Sequence, residues 1–174
     1  MSTHKHKNHK TEVRCMVVTI SDTRTEGTDK SGQLMVHLLE QAGHKVVVKD
    51  IVQDEEAVIK LVIQKGCQRD DVDVILTNGG TGISYRDVTI ETIRQLLDKE
   101  LQGFGELFRM LSYEEDIGSA AMMSRAIAGV SQHTAIFATP GSSEAVKLAM
   151  NKLIIPELSH VVYELQKDFK PKGK

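Results

Sequence analysis

VDVILTNGGTGISYRDVTIETIRQLL, residues 72–97, sets the reading of the chain. It opens with VDVIL (72–76), a short apolar run suited to a buried strand. It closes with Ile90, Ile93, Leu96 and Leu97, whose three- and four-residue spacing marks one face of a helix. Between them Gly79, Gly80 and Gly82 fill three of four positions. Without Cβ atoms this backbone can take positive φ and approach a ligand closely. Its N–H groups are then free to cradle an anion. Thr89 is expected to cap the helix, which leaves Asp87 outside that role. A carboxylate beside Arg86 in an anion-binding turn is reconciled if Mg²⁺ joins the phosphate. Neither common phosphate motif is present. There is no GxxxxGK[ST], and Tyr85 occupies the third glycine position of a GxGxxG.

Working outward, the same alternation recurs. Residues 15–20 (CMVVTI) read as a strand, followed by a helix marked by Leu34, Met35, Leu38, Leu39 and Ala42, which Gly43 stops. Val46 to Val48 with Ile51 give the next strand, and Val58, Leu61 and Val62 the next helix. Residues 104–126 read as short helices around Gly118. Residues 127–130 and 135–138 flank a turn as an antiparallel hairpin. Ala145, Val146, Leu148 and Ala149 begin a further helix. Pro156 is expected to end it and to open the last one, whose face is Leu158, Val161, Val162 and Leu165. The predicted class is α/β, a three-layer αβα sandwich with a mostly parallel sheet and one antiparallel hairpin. Ligands of such sheets bind beyond the carboxyl ends of the strands.

Three more turns fall at that edge. Ser21, Asp22, Thr23 and Arg24, then Asp29, Lys30 and Ser31, offer hydroxyls and cations for a phosphate or polar ring; Asp29 or Ser31 equally suits an N-cap. Asp54 follows the second strand, where its local role is that of N-cap to the second helix. Thr139, Pro140, Gly141 and Ser142 follow the hairpin, with Ser142 as N-cap. If these turns share one rim, Asp54 and Asp87 face a common pocket suited to a Mg²⁺–phosphate substrate. Arg109 and Arg125 are read as salt-bridge partners first and anion binders second.

The chain has 174 residues, 40% apolar and 26% charged, enough for one domain over residues 13–167. Residues 1–12, with His4, His6 and His9 among lysines, read as a disordered head, and residues 168–174 as a polar tail. A net charge of −2 lacks the basic excess of a nucleic-acid binder, and 4% aromatics give little for base stacking. No apolar run approaches the roughly 18 residues that span a bilayer. Cys15 and Cys67 form no CxxC, so a reducing, cytoplasmic setting is the expectation. There is no HExxH and no GxSxG elbow.

Several motifs together resemble one family. Thr19-Ile20-Ser21-Asp22-Thr23-Arg24, Asp29-Lys30-Ser31-Gly32, TNGGTGISYRDVT, GFGELFRMLSYEEDIGS (103–119), SRAIAG (124–129) and the Pro140-Gly141-Ser142 turn are similar to the molybdenum cofactor biosynthesis protein B/Mog family. The resemblance runs from about residue 13 to 166, and GFGELFRMLSY favours the protein B branch. It implies a three-layer molybdopterin-binding domain that assembles as a trimer or a dimer of trimers. In the Mog branch it implies adenylylation: the terminal phosphate of molybdopterin attacks the α-phosphorus of ATP, with Mg²⁺, and pyrophosphate leaves. The family's two functional aspartates correspond to Asp54 and Asp87, its phosphate loop to Gly79, Gly80, Thr81 and Gly82, and its PGS turn to Gly141 and Ser142. The alternative is a protein B branch member that holds molybdopterin or a precursor without chemistry. Two departures from the family pattern stand out, Asn78 in place of Thr and Ile90 in place of Pro.

Overall fold

The computed structural model describes residues 11–168; the His-rich stretch up to residue 10 and the tail from residue 169 lie outside the described residues. The elements are β1 (Arg14–Ile20), α1 (Lys30–Gln41), β2 (Lys45–Val52), α2 (Glu56–Cys67), β3 (Val74–Asn78), α3 (Thr89–Leu96), β4 (Lys99–Glu100), α4 (Gln102–Ser112), β5 (Ile127–Ser131), β6 (Thr134–Thr139), α5 (Ser143–Ala149) and α6 (Ile155–Gln166). All six strands form one sheet in the order β2-β1-β3-β6-β5-β4. The β2, β1, β3 and β6 pairings are parallel; β5 runs antiparallel to both its neighbours.

Strand alternation separates two cores. Cys15, Val17, Val74, Leu76, Ala135 and Phe137 face one side, where Met35 and Leu39 of α1, Phe104 and Phe108 of α4, and α5 and α6 cover them. Met16, Val18, Ile75 and Ile136 face the other side, under Ile59 and Ile63 of α2 and Ile90 and Ile93 of α3. The predicted three-layer sandwich is therefore the observed one. The crossover through α1 steps outward from β1 to β2 on one face. The crossover through α2 steps back past β1 to β3 on the other. Both thus share one hand, as parallel crossovers do.

Several boundaries differ from the sequence reading; β3, read as residues 72–76, is Val74–Asn78. β2 spans eight residues, because its edge position tolerates Lys49 and Asp50 among the apolar residues. β4 is only two exposed charged residues held by pairing with β5, and no local pattern announces it. Leu97 lies beyond α3 in extended backbone. Pro156 does not end a segment. The chain stays helical from Ser143 to Gln166, and the turn at Met150–Ile154 widens to a π-turn ahead of the missing proline N–H. The hairpin is present, with Gln132 at φ 55° in its two-residue turn.

β1 sits between β2 and β3, so the chain leaves it in one direction and returns on the other. That switch point opens a crevice at the carboxyl ends of β1 and β3.

Candidate functional site

A cleft of about 480 Å³ occupies this crevice. It is lined by the ends of β1 and β3, by residues 21–24, Asp54, the glycine turn, Asp87, residues 123–125, Pro140 and Gly141. Four separate turns do meet at one rim.

The glycine turn is folded by close approach. Gly79 has φ 100°, and a Cβ there would lie 2.2 Å from the Ile20 carbonyl oxygen. Its N–H donates to the Thr139 carbonyl at 3.1 Å, so it is spent on the fold and not on a ligand. Gly80 has φ 64°, and a Cβ there would lie 2.2 Å from Thr89 Oγ1 and 2.7 Å from Asp54 Oδ1. A Cβ on Gly82 would lie 2.5 Å from Asp87 Oδ2. The two carboxylates thus press against the turn through its missing side chains. The N–H groups of Gly80, Thr81 and Gly82 take no part in the hydrogen bonds that hold the turn.

Asp54 is not a helix cap. Glu55 occupies the cap position of α2, and no side chain accepts a bond there. The Asp54 carboxylate turns instead toward Gly80, and its Oδ1 is buried with no hydrogen-bond partner. Burial pushes its pKa above the ordinary 3.8, and the charges of Asp87 and Asp22 push the same way; the Val88 N–H and Arg86 oppose them. Thr89 is likewise not the cap. It is the first residue of α3, with Val88 in the cap position, and its buried Oγ1 also lacks a partner. Asp87 is half-buried, and its Oδ2 accepts from the Ser84 N–H at 2.9 Å and from the Ser84 hydroxyl. A buried carboxylate oxygen with an open coordination side, next to a second carboxylate, fits a hard divalent cation. Among the described residues no group of three His, Cys, Asp or Glu stands together as metal ligands. Asp54 and Asp87 would therefore share such an ion with substrate oxygens and water, which is how Mg²⁺ is commonly held.

Asp22 spans the rim. Its Oδ1 accepts from the Asp54 N–H at 3.0 Å, and its Oδ2 pairs with Arg86 at 2.8 Å. These two contacts hold its carboxyl below the usual range. Ser21 and Arg24 also line the cleft, and Arg24 donates to the Gly141 carbonyl at 3.3 Å. Ser142 is the N-cap of α5, as expected, and its Oγ accepts from the Ala145 N–H at 3.2 Å. Gly141 faces the cleft while Ser142 stands behind it.

Asp29 and Lys30 are not brought into the cleft. Asp29 is wholly buried as the N-cap of α1, the other role its sequence position allowed. Its Oδ1 accepts from Gly32 N at 3.0 Å. Its Oδ2 accepts from Thr19 Oγ1 at 2.9 Å and pairs with Lys49 at 3.2 Å. Asn78 completes this network, donating to Thr19 Oγ1 at 3.1 Å and accepting from Ser31 Oγ at 2.8 Å. The departure at Asn78 is thus a cross-strand tie under the turn. Lys30 is exposed.

Comparison with known proteins shows the family of the chain. The family model described as a probable molybdopterin binding domain matches residues 16–160. Molybdenum cofactor biosynthesis protein B of Bacillus subtilis is 62% identical over 169 residues, which is 97% of this chain and 99% of that protein. The chain belongs to the molybdenum cofactor biosynthesis protein B family. The Staphylococcus aureus (strain MRSA252) member is 50% identical, over 96% of this chain and all of that protein. A crystal structure of a molybdenum cofactor biosynthesis protein B superposes with a TM-score of 0.89 at 62% identity, covering 90% of this chain and 98% of that one. The tungsten cofactor synthesizing protein MoaB from Pyrococcus furiosus gives a TM-score of 0.79 at 37% identity, over 89% and 98%.

In this family member Arg125 carries more of the site than its sequence position suggested. Its Nε donates to the Thr81 carbonyl at 3.0 Å, its Nη2 to the Gly82 carbonyl at 2.6 Å, and it pairs with Glu91 of α3. One guanidinium fork fixes the carbonyl side of the glycine turn, leaving the opposite N–H side to a ligand. Glu91, held by that contact, has a lowered pKa. Sequence spacing cannot find such a residue, because it arrives from a loop 43 positions away from Gly82. The signs were the SRAIAG motif (124–129) and the reading of Arg125 as a salt-bridge partner, a role its pair with Glu91 fills. Met123 and Ser124 close the cleft from the same loop.

Proposed function

We propose that this protein binds molybdopterin by its terminal phosphate in the glycine turn and adenylylates that phosphate with ATP. An oxygen of the pterin phosphate attacks the α-phosphorus of ATP. A new P–O bond forms, the bond from the α-phosphorus to the bridging oxygen of the β-phosphate breaks, and pyrophosphate leaves. Such a transfer asks for positioning and charge neutralisation more than for a protein nucleophile. Mg²⁺, when bound, would supply neutralisation of the triphosphate. The N–H groups of Gly80, Thr81 and Gly82 hold the pterin phosphate, and Arg125 keeps them aimed. Asp54 and Asp87 hold the cation-bearing end of the nucleotide against it. Ser21, Asp22 and Arg24 border the pterin. Gly141 gives the rim its close backbone approach.

The observation that carries this reading is the buried, unpartnered Asp54 Oδ1 packed against Gly80, with Asp87 packed against Gly82 on the same turn. An apolar stripe, Leu107, Met110, Tyr113 and Ile117, lies exposed along α4 and the turn after it, with Met122 beyond. We assign that face to contact between copies of this chain, in a trimer or a dimer of trimers.

The test is the Asp87→Ala variant, incubated with Mg-ATP and molybdopterin beside the wild type. The expected result is adenylylated pterin from the wild type only, with pterin affinity retained in the variant. Normal turnover by the variant removes Asp87 from the chemistry. Pterin binding by the wild type with ATP left intact makes the protein a carrier.

A further inference from the structure

Beside the main cleft lies a second depression of about 320 Å³, lined by Asp54, Glu55, Glu56, Tyr85, Arg86 and Val88. Asp54 belongs to both spaces. The Asp22–Arg86 pair stands at their border, Asp22 lining the first and Arg86 the second, 2.8 Å apart. Tyr85 is 97% exposed and makes no hydrogen bond or ring contact among the described residues. It stands just beyond the glycine turn, after Ile83 and Ser84, where an unpacked aromatic ring adds nothing to the core.

We propose that this second depression receives the purine base of the nucleotide, with Tyr85 stacked on the base and Glu55 and Glu56 accepting from its exocyclic amino group. The inference rests on the adenylylation reading and adds where the nucleotide extends. Three carboxylates line this space, which disfavours a triphosphate there and suits an uncharged ring with a donor edge. Phosphates therefore lie toward the main cleft, where the free N–H groups are, and the α-phosphorus falls at the border that Asp54 shares. Val88 gives the ring an apolar wall, and Tyr85 a face to stack on.

Titration calorimetry on the full chain with Mg²⁺ separates the possibilities, using ATP and inorganic triphosphate as probes. Tyr85→Ala is expected to weaken ATP about five- to 150-fold, the range of stacking losses on truncation to alanine. It should leave triphosphate and molybdopterin affinity unchanged, which also shows that the variant is folded. Tyr85→Phe should bind ATP as the wild type does. Equal ATP affinity in Tyr85→Ala overturns the lobe, as does wild-type protein that binds ATP no more tightly than triphosphate. Pyrophosphate release, followed in parallel with molybdopterin present, keeps the two claims apart. Tyr85-dependent ATP binding without release defeats adenylylation and supports the lobe. Release with Tyr85-independent ATP affinity defeats the lobe alone.

Discussion

At Asp54 the fold holds a carboxylate in a place that costs stability. Burial raises its pKa, so the charged form costs more in the native state than in the unfolded chain. The sign follows from linkage: stability is fully present below the ordinary value of 3.8 and is lost as pH rises through the raised native value. Asp54→Asn is therefore expected to raise the melting temperature at pH 7, with the gain shrinking below pH 4. The same variant should lose product formation. A melting temperature unchanged at both pH values contradicts the burial argument. Asp22 runs the other way, since its contacts with the Asp54 N–H and Arg86 lower its pKa. Its contribution is present above the ordinary carboxylate range and fades as pH falls through the lowered value. This scale was the least legible in the sequence. Asp54 and Thr89 both stand where an N-cap belongs, and local preference assigns them that role. The structure withholds it because Gly80, with no side chain, lets both groups fold back against the turn. Asp29 shows the converse. Its position suited a cap or a ligand, and a half-buried lysine from β2 settles it as a cap with an ion pair.

Among elements, the glycine turn was readable because a buried strand, three glycines and a helical face follow in order. Its support was not readable. Arg125 reaches the turn from the loop before β5, and Asn78 ties β3 to β1 and α1 through side chains distant in sequence. Arg125→Ala leaves the carbonyls of Thr81 and Gly82 without their donor, at a cost of about 1–3 kcal/mol to folding stability. It should also weaken molybdopterin binding more than ATP binding, because the turn, not the carboxylates, loses its brace. Arg125→Lys should not restore it, since an ammonium cannot span the two carbonyls and Glu91 as a planar fork does. Calorimetry of both ligands checks this, and full rescue by lysine contradicts it. β4 escaped notice for a related reason, since two charged residues become a strand only through the hydrogen-bonding edge of β5.

For the whole molecule, near-continuous apolar runs along β1, β3 and β6 feed a core on each face of the sheet, and helical faces alternate with them, which is why the sandwich could be read from sequence. The strand order and the crevice between β1 and β3 depend on crossover rules that alternation alone does not encode. Among the described residues no helix is long and apolar enough to cross a membrane. The exposed stripe of Leu107, Met110, Tyr113 and Ile117 belongs to this scale. Light scattering at micromolar concentration is expected to give a trimer or a hexamer, and Met110→Glu to shift the mass toward the monomer. A wild-type monomer contradicts the assignment of that face. The central claim is that one rim brings the pterin phosphate and the nucleotide together for transfer. Phosphorus NMR of wild-type protein incubated with molybdopterin and Mg-ATP tests it most directly. The expected result is a new diphosphate linkage joining the pterin to AMP, with one pyrophosphate per product. Molybdopterin and ATP both binding while their phosphorus signals stay those of the separate compounds would contradict it.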